Sequence, residues 1–174
     1  MKKIQVLFFA VLFSFMNTSC GLFDDDNSND NIEENNNGNA PQSLTDKALA
    51  IFSGTVVYTD TYSDEGRQLV EIVVRNEEGA RVEFYFVQNT GEIYEIEGLS
   101  GPFNYDLQAD TSWISLIQAI TLGCTAANSS DCNITEWELY NNTAQPYYEI
   151  YFENRVEVDV NAITGDIISI DTDD

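Results

Sequence analysis

RVEVDVNAITGDIISID, residues 155–171, is the stretch whose reading decides the fold. Val156, Val158 and Val160 alternate with Arg155, Glu157 and Asp159, the period-two pattern of a strand with one buried face. A Thr164-Gly165 turn leads into a second strand over 167–171. The same pattern stands earlier, at residues 81–97, as RVEFYFVQNTGEIYEIE. At a constant offset of 74 the two segments share Arg, Val, Glu, Thr, Gly and two Ile without a gap. The preceding strand also repeats, Val70-Glu71-Ile72 against Tyr148-Glu149-Ile150. A hairpin written twice implies that one small unit was duplicated. Gly91 and Gly165 are expected to supply the positive φ that the turn needs, with Asp159 and Asn161 bonding the turn backbone.

Working outward, each unit reads as a helix followed by a four-stranded antiparallel meander. In the first, Ser43 is a candidate N-cap for a short amphipathic helix carrying Leu44, Ala48, Ile51 and Phe52, with Gly54 as its stop. Strands are predicted over 55–62, 68–75, 82–86 and 92–97, with Val70, Ile72, Val74, Val82, Phe84 and Phe86 inward. Residues 99–110, entered through Gly98 and containing Gly101-Pro102, break the pattern and form a junction. The second unit opens with an apolar helix from Trp113 to Leu122, ended by Gly123. Strands follow at 134–140, 147–152, 156–160 and 167–171, with Trp137, Leu139, Tyr148, Ile150 and Phe152 inward. The expected class is α+β, two tandem modules at 41–98 and 111–174, each a helix packed on a four-stranded antiparallel meander, and the two sheets can merge into one broad face.

Charge and composition exclude several functions. The chain of 174 residues has 30 acidic against 7 basic residues and no histidine, a net charge of -23. Phosphate recognition draws on clustered Lys and Arg, so nucleic acid is excluded as a partner. Without histidine there is no Ser-His-Asp triad, no Cys-His pair and no imidazole metal site. An enzyme would have to use carboxylates alone, and no pair of them is singled out by spacing. Asp159, Asn161 and Asp166 do not meet the order of a calcium loop. The reading is therefore non-enzymatic, with no cofactor and no resident metal.

The N-terminus carries an address. Met1-Lys2-Lys3 precedes an apolar run over 4–16, the length of a signal-peptide core and too short to span a bilayer. Small polar residues then lead to Cys20. This resembles a bacterial lipoprotein signal, 1–19, cleaved before a lipid-modified Cys20, although Asn17 stands where Leu is usual. The alternative is an ordinary secretory signal with an incidental cysteine. Asp24-Asp25-Asp26 resembles the export signal of surface lipoproteins in one group of Gram-negative bacteria, or simply opens an acidic tether. Residues 24–40 hold seven Asn, six acidic residues and one bulky apolar residue, so 20–40 is predicted to be a disordered linker. The location implied is the outer membrane, and by the export-signal resemblance its outer surface, with the membrane touched only through the lipid. Cys124 and Cys132 remain as an even pair, expected to form a disulfide in an oxidising compartment.

The two hairpins at 81–97 and 155–171 look like the PepSY signature, a strand, a Thr-Gly-acidic turn and a second strand. A related branch, PepSY-like proteins with the fold of β-lactamase inhibitory proteins, is similar in its tandem layout and small disulfide loops. The first unit departs from that layout in having no cysteine pair. The resemblance implies a non-catalytic binding role, with peptidase regulation or inhibition as one form. Alternation puts Leu69, Val73, Tyr85, Tyr140, Tyr147 and Tyr151 on the solvated face, among Glu71, Glu83, Glu149 and Glu157. Tyrosines among charges suit a surface that binds a protein or peptide, and equally suit cross-strand stabilisation. The chain is read as a monomer. The competing readings are a structural or assembly lipoprotein of the envelope and a carboxylate-based hydrolase.

Overall fold

A computed structural model describes residues 40–172, apart from residues 65, 130 and 131. The signal peptide, Cys20 and nearly all of the linker lie outside the described residues. The order is α1 (Gln42–Ile51), β1 (Thr55–Asp64), β2 (Arg67–Arg75), β3 (Arg81–Val87), β4 (Ile93–Ser100), α2 (Leu116–Ala126), β5 (Ile134–Tyr140), β6 (Tyr147–Phe152), β7 (Val156–Asn161) and β8 (Ile167–Thr172). All eight strands form one antiparallel sheet in sequence order. The two meanders, whose merging the sequence leaves open, join into it at one place. There β4 pairs with β5 through Glu95 to Tyr140, Ile96 to Leu139 and Glu97 to Glu138.

One face of the sheet meets the helices. On it Val70, Ile72, Val74, Val82, Phe84, Phe86 and Ile96 join Trp137, Leu139, Tyr148, Ile150, Val158 and Val160, all fully buried. Helix α1 packs on β1 and β2, and α2 on β6, β7 and β8. The rows are continuous across the seam because Gly98 lets Trp137 lie against β4. A Cβ there would sit 2.2 Å from Trp137 Nε1.

The two hairpins share more than residue types. In β3–β4, Phe84 pairs with Ile96 and Phe86 with Ile93, with a bulge between. In β7–β8, Val158 pairs with Ile170 and Val160 with Ile167, with a bulge at the corresponding place. Gly91 N–H donates to Val87 O at 2.7 Å and Gly165 N–H to Asn161 O at 2.8 Å. Glu92 N–H and Asp166 N–H each donate to the threonine Oγ1 two residues back, both at 3.2 Å. Gly91 has φ 69° and Gly165 φ 76°, the left-handed region where a Cβ is disfavoured.

Several local expectations are corrected. Helix α1 has Pro41, not Ser43, at its N-cap and no side-chain cap; Leu44 and Thr45 N–H groups donate to Pro41 O instead. Helix α2 starts later, at Leu116, because Ser115 and Gln118 form a reciprocal capping box. Gly123 does not stop it. The residue is buried inside the helix, where its missing side chain brings the backbone against Ile150 and Phe152. The junction is shifted along the chain, since β4 runs on to Ser100 and α2 begins only at Leu116, and it folds back over the core rather than bridging. Tyr105 stacks between Phe52, 4.8 Å away, and Trp137, whose indole N–H donates to the Tyr105 hydroxyl at 3.1 Å. Leu107 is buried, and its carbonyl accepts from Leu116 N–H. Cys124 and Cys132 are disulfide-bonded, joining the last turn of α2 to the approach to β5.

Candidate functional site

Opposite the helices, the second face of the sheet is open among the described residues. Cross-strand partners place its residues in rows. One row runs Val73, Glu83, Glu97, Glu138, Glu149 and Asp159 across β2 to β7. Its neighbour runs Glu71, Tyr85, Glu95, Tyr140, Tyr147 and Asn161. Five carboxylates thus stand side by side on five successive strands.

Three Glu-x-Tyr triplets tie the rows together. The Tyr140 hydroxyl donates to Glu138 and the Tyr151 hydroxyl to Glu149, while Tyr85 bonds Glu83 in the same way. The rings also meet across strands. Tyr140 and Tyr147 stack with centroids 5.1 Å apart, and Tyr62 meets Tyr85 edge-on at 6.2 Å. Tyr85, Tyr140, Tyr147 and Tyr151 are each half-buried.

Leu69 and Val73 are a correction. Both were expected to be solvent-facing contacts, yet they are 1% and 2% exposed. They do lie on the open face, but the side chains of flanking strands cover them: Tyr62 and Val87 beside Leu69, Tyr58 and Glu83 beside Val73. They form the floor under the tyrosines and cannot touch a partner as the face stands. Glu83, read as outward, is likewise buried. Asp159 is also corrected. It does not serve the turn; its Oδ2 accepts from Ser169 Oγ at 2.5 Å on the open face. Asn161 does the turn's work, its Oδ1 accepting from Ile163 and Thr164 N–H groups at 2.9 Å each.

The crowding of like charge is visible in the proton affinities. Burial first, then Glu71, holds the Glu83 carboxyl up to about 8. Burial, then Glu95 and Glu149, raises Glu138 to about 8. Glu95 and Glu97 are raised to about 7 by burial and then by neighbouring carboxylates. Burial raises Glu149 and Asp159 as well. The same field lifts the Tyr147 phenol to about 12. Arg81, beside Glu83, is a basic group acting in the other direction.

Carboxylate oxygens of Glu95, Glu97 and Glu138 lie within 4.8 Å of one another, as do those of Glu149, Glu157 and Asp159. Such oxygen sets have the hardness that Ca²⁺ or Mg²⁺ takes. Protons or basic side chains of a partner neutralise them equally well. Asp159, Asn161 and Asp166 do not converge as a calcium loop would, since Asn161 and Asp166 are engaged in the turn and Asp159 lies on the sheet face. The carboxylates stand on an open face; hollows around Arg67, Tyr94 and Asn141, and around Arg75, Glu77 and Asn104, lie at the turn ends and contain none of the row.

Sequence reading found the tyrosines but passed over Glu95, Glu97, Glu136 and Glu138. The signal was present as EFY, ELY and EIY at 83–85, 138–140 and 149–151, each pairing a carboxylate and a phenol on one face of a strand.

Residues 133–171 match the model of the PepSY family, described as peptidase propeptide and YPEB domain. No curated protein matches the chain. Among solved structures, a candidate lipoprotein of Clostridium difficile is similar at 15% identity, covering 75% of this chain and 88% of its own, with a TM-score of 0.33. That likeness is too low to carry an argument. The match to PepSY spans β5 to β8, and over those strands the chain is PepSY-like.

Proposed function

We propose that this chain is a non-enzymatic, extracytoplasmic lipoprotein that binds a protein or peptide on the open face of its sheet. One observation carries the reading: half-buried tyrosines, stacked in register, rise from a row of carboxylates crowded side by side on successive strands. Tyrosine offers contact area at little cost in side-chain order. An acidic row favours a partner with a basic footprint. The family's description as a peptidase propeptide domain points to a regulatory rather than catalytic role, and makes a peptidase one candidate partner. An open face without a closed carboxylate cleft fits binding better than hydrolysis.

In the same reading the two hairpins of shared register are copies of one helix-and-meander module. Cys20 carries the lipid, and residues 20–40 are the tether that holds the modules off the outer membrane.

The test is capture from envelope extracts by the full chain. A Tyr140→Ala/Tyr147→Ala variant is expected to lose most of the captured partner, and 0.5 M salt to weaken what wild type retains. Undiminished capture by the variant would reject this face as the contact.

A further inference from the structure

The last strand offers a second surface, distinct from the tyrosine face. No strand lies beyond β8 among the described residues, so one side of its backbone has no ladder partner. Shared register gives β8 a counterpart inside the molecule. Ile167, Ile168 and Ile170 of β8 stand where Ile93, Tyr94 and Ile96 stand in β4. In β4, Ile96 is fully buried because β5 lies alongside and sets Leu139 opposite it. In β8, Ile170 is 48% exposed, Ile168 53% and Ile167 39%, although the adjacent Val158 and Val160 are fully buried. The core's helix-side layer therefore stops one strand short. Leu122 of α2, also exposed, sits beside the turn that leads into β8.

We propose that β8 is a docking edge for an extended segment of another protein, one that alternates apolar and basic residues and pairs antiparallel as β5 does with β4. The apolar residues would cover Ile167 and Ile170, which pair with the buried Val160 and Val158, on the helix side. The alternate residues would fall on the open-face side next to Asp171 and Ser169, with Glu157 and Asp159 one strand further in. At the corresponding place in β4, Glu97 faces Glu138, and both carboxyls are pushed up. A basic residue against Asp171 avoids that conflict. Backbone pairing supplies affinity and the alternating side chains supply selection.

A second copy fits less well. Its β1 is the strand that aligns with β5, since both carry a bulge at the corresponding place. It would bring Thr59 and Thr61 where β5 has Trp137 and Leu139, and would set Asp60 against Asp171. Each copy also carries a net charge of -23. The other edge, β1, carries Asp60 and Asp64, which blunt it.

The test uses the full chain and a fluorescent eight-residue peptide alternating leucine and lysine. Its controls are a block-scrambled peptide of the same composition and a leucine–glutamate version. The alternating peptide is expected to bind, to slow amide exchange at residues 167–172, and to exceed both controls at least tenfold. Ile167→Lys/Ile170→Lys is expected to weaken it at least tenfold. Asp171→Lys, which leaves the isoleucines in place, should weaken it several-fold. Tyr140→Ala/Tyr147→Ala should leave it unchanged, which separates this site from the tyrosine face. The proposal is overturned by absent binding, by equal binding of either control, by protection confined to other strands, or by either β8 variant binding like wild type. Concentration-dependent association of wild type that Ile167→Lys/Ile170→Lys abolishes would overturn it in favour of a second copy.

Discussion

Asn161 shows how a single side chain fixes a turn. Its Oδ1 takes two backbone N–H groups while Gly165 closes the turn with a positive φ that a side chain disfavours. Gly165→Ala and Gly91→Ala are each expected to destabilise by about 1–2 kcal/mol, measured by urea unfolding. A cost confined to one of them would mean that the turns are not equivalent. Further in on the open face, Glu138 is held up to about 8 by burial and by Glu95 and Glu149. Glu138→Gln removes a group whose charged form the fold resists. It is expected to raise Tm at pH 8 and to leave it nearly unchanged at pH 4, where both states carry the proton.

At the scale of elements, the two meanders are joined where β4 meets β5. Three residue pairs join the strands there, with Gly98 admitting Trp137 from one side and Tyr105 covering it from the other. Gly98→Ala places a methyl inside the indole, and roughly 1–3 kcal/mol of overpacking is expected. Trp137→Ala should cost about 3–5 kcal/mol. The disulfide closes a separation of eight residues, so Cys124→Ser/Cys132→Ser should cost about 2–3 kcal/mol by loop entropy. Thermal melts with and without reductant check it.

The elements also show what was legible in the chain. Rows of Val, Ile and Phe at period two could be read because a strand on a core forces that alternation, and the Thr-Gly turns because few residues tolerate positive φ. The Ser115-x-x-Gln118 box was equally legible, but Trp113 and Ile114 extended the apolar pattern and moved the helix start too early. Gly123 misled because a glycine inside a helix and one after it look alike until a neighbour such as Phe152 presses on it. Leu69 and Val73 were assigned to the right face and the wrong exposure. Their burial depends on which strands flank β2, a fact of pairing that alternation alone does not contain. The merging of both meanders into one sheet is likewise a long-range pairing with no local signature.

For the whole molecule, the acidic face sets an unusual pH dependence. Unfolded glutamates titrate near about 4.3; in the fold Glu95 and Glu97 titrate at about 7 and Glu83 and Glu138 at about 8. Between those values the folded state binds more protons than the unfolded one, so stability falls as pH rises. Their stabilising contribution is present below about pH 4 and is lost by about pH 8. Asp110, lowered by Ser112, acts in the opposite sense and only at more acid pH. Melts are expected to show a higher Tm at pH 5 than at pH 8. Added salt should narrow the gap by screening a net charge of -23. A basic partner on the face should narrow it further, because it supplies the neutralisation that protons supply in acid.

The most direct measurement is a carboxyl-carbon NMR titration of the free protein, following Glu83, Glu95, Glu97 and Glu138. Midpoints of about 7 for Glu95 and Glu97, and about 8 for Glu83 and Glu138, are expected. Midpoints of about 4.3 for all four would mean that these carboxyls are neither buried nor crowded on the face, and would contradict the account.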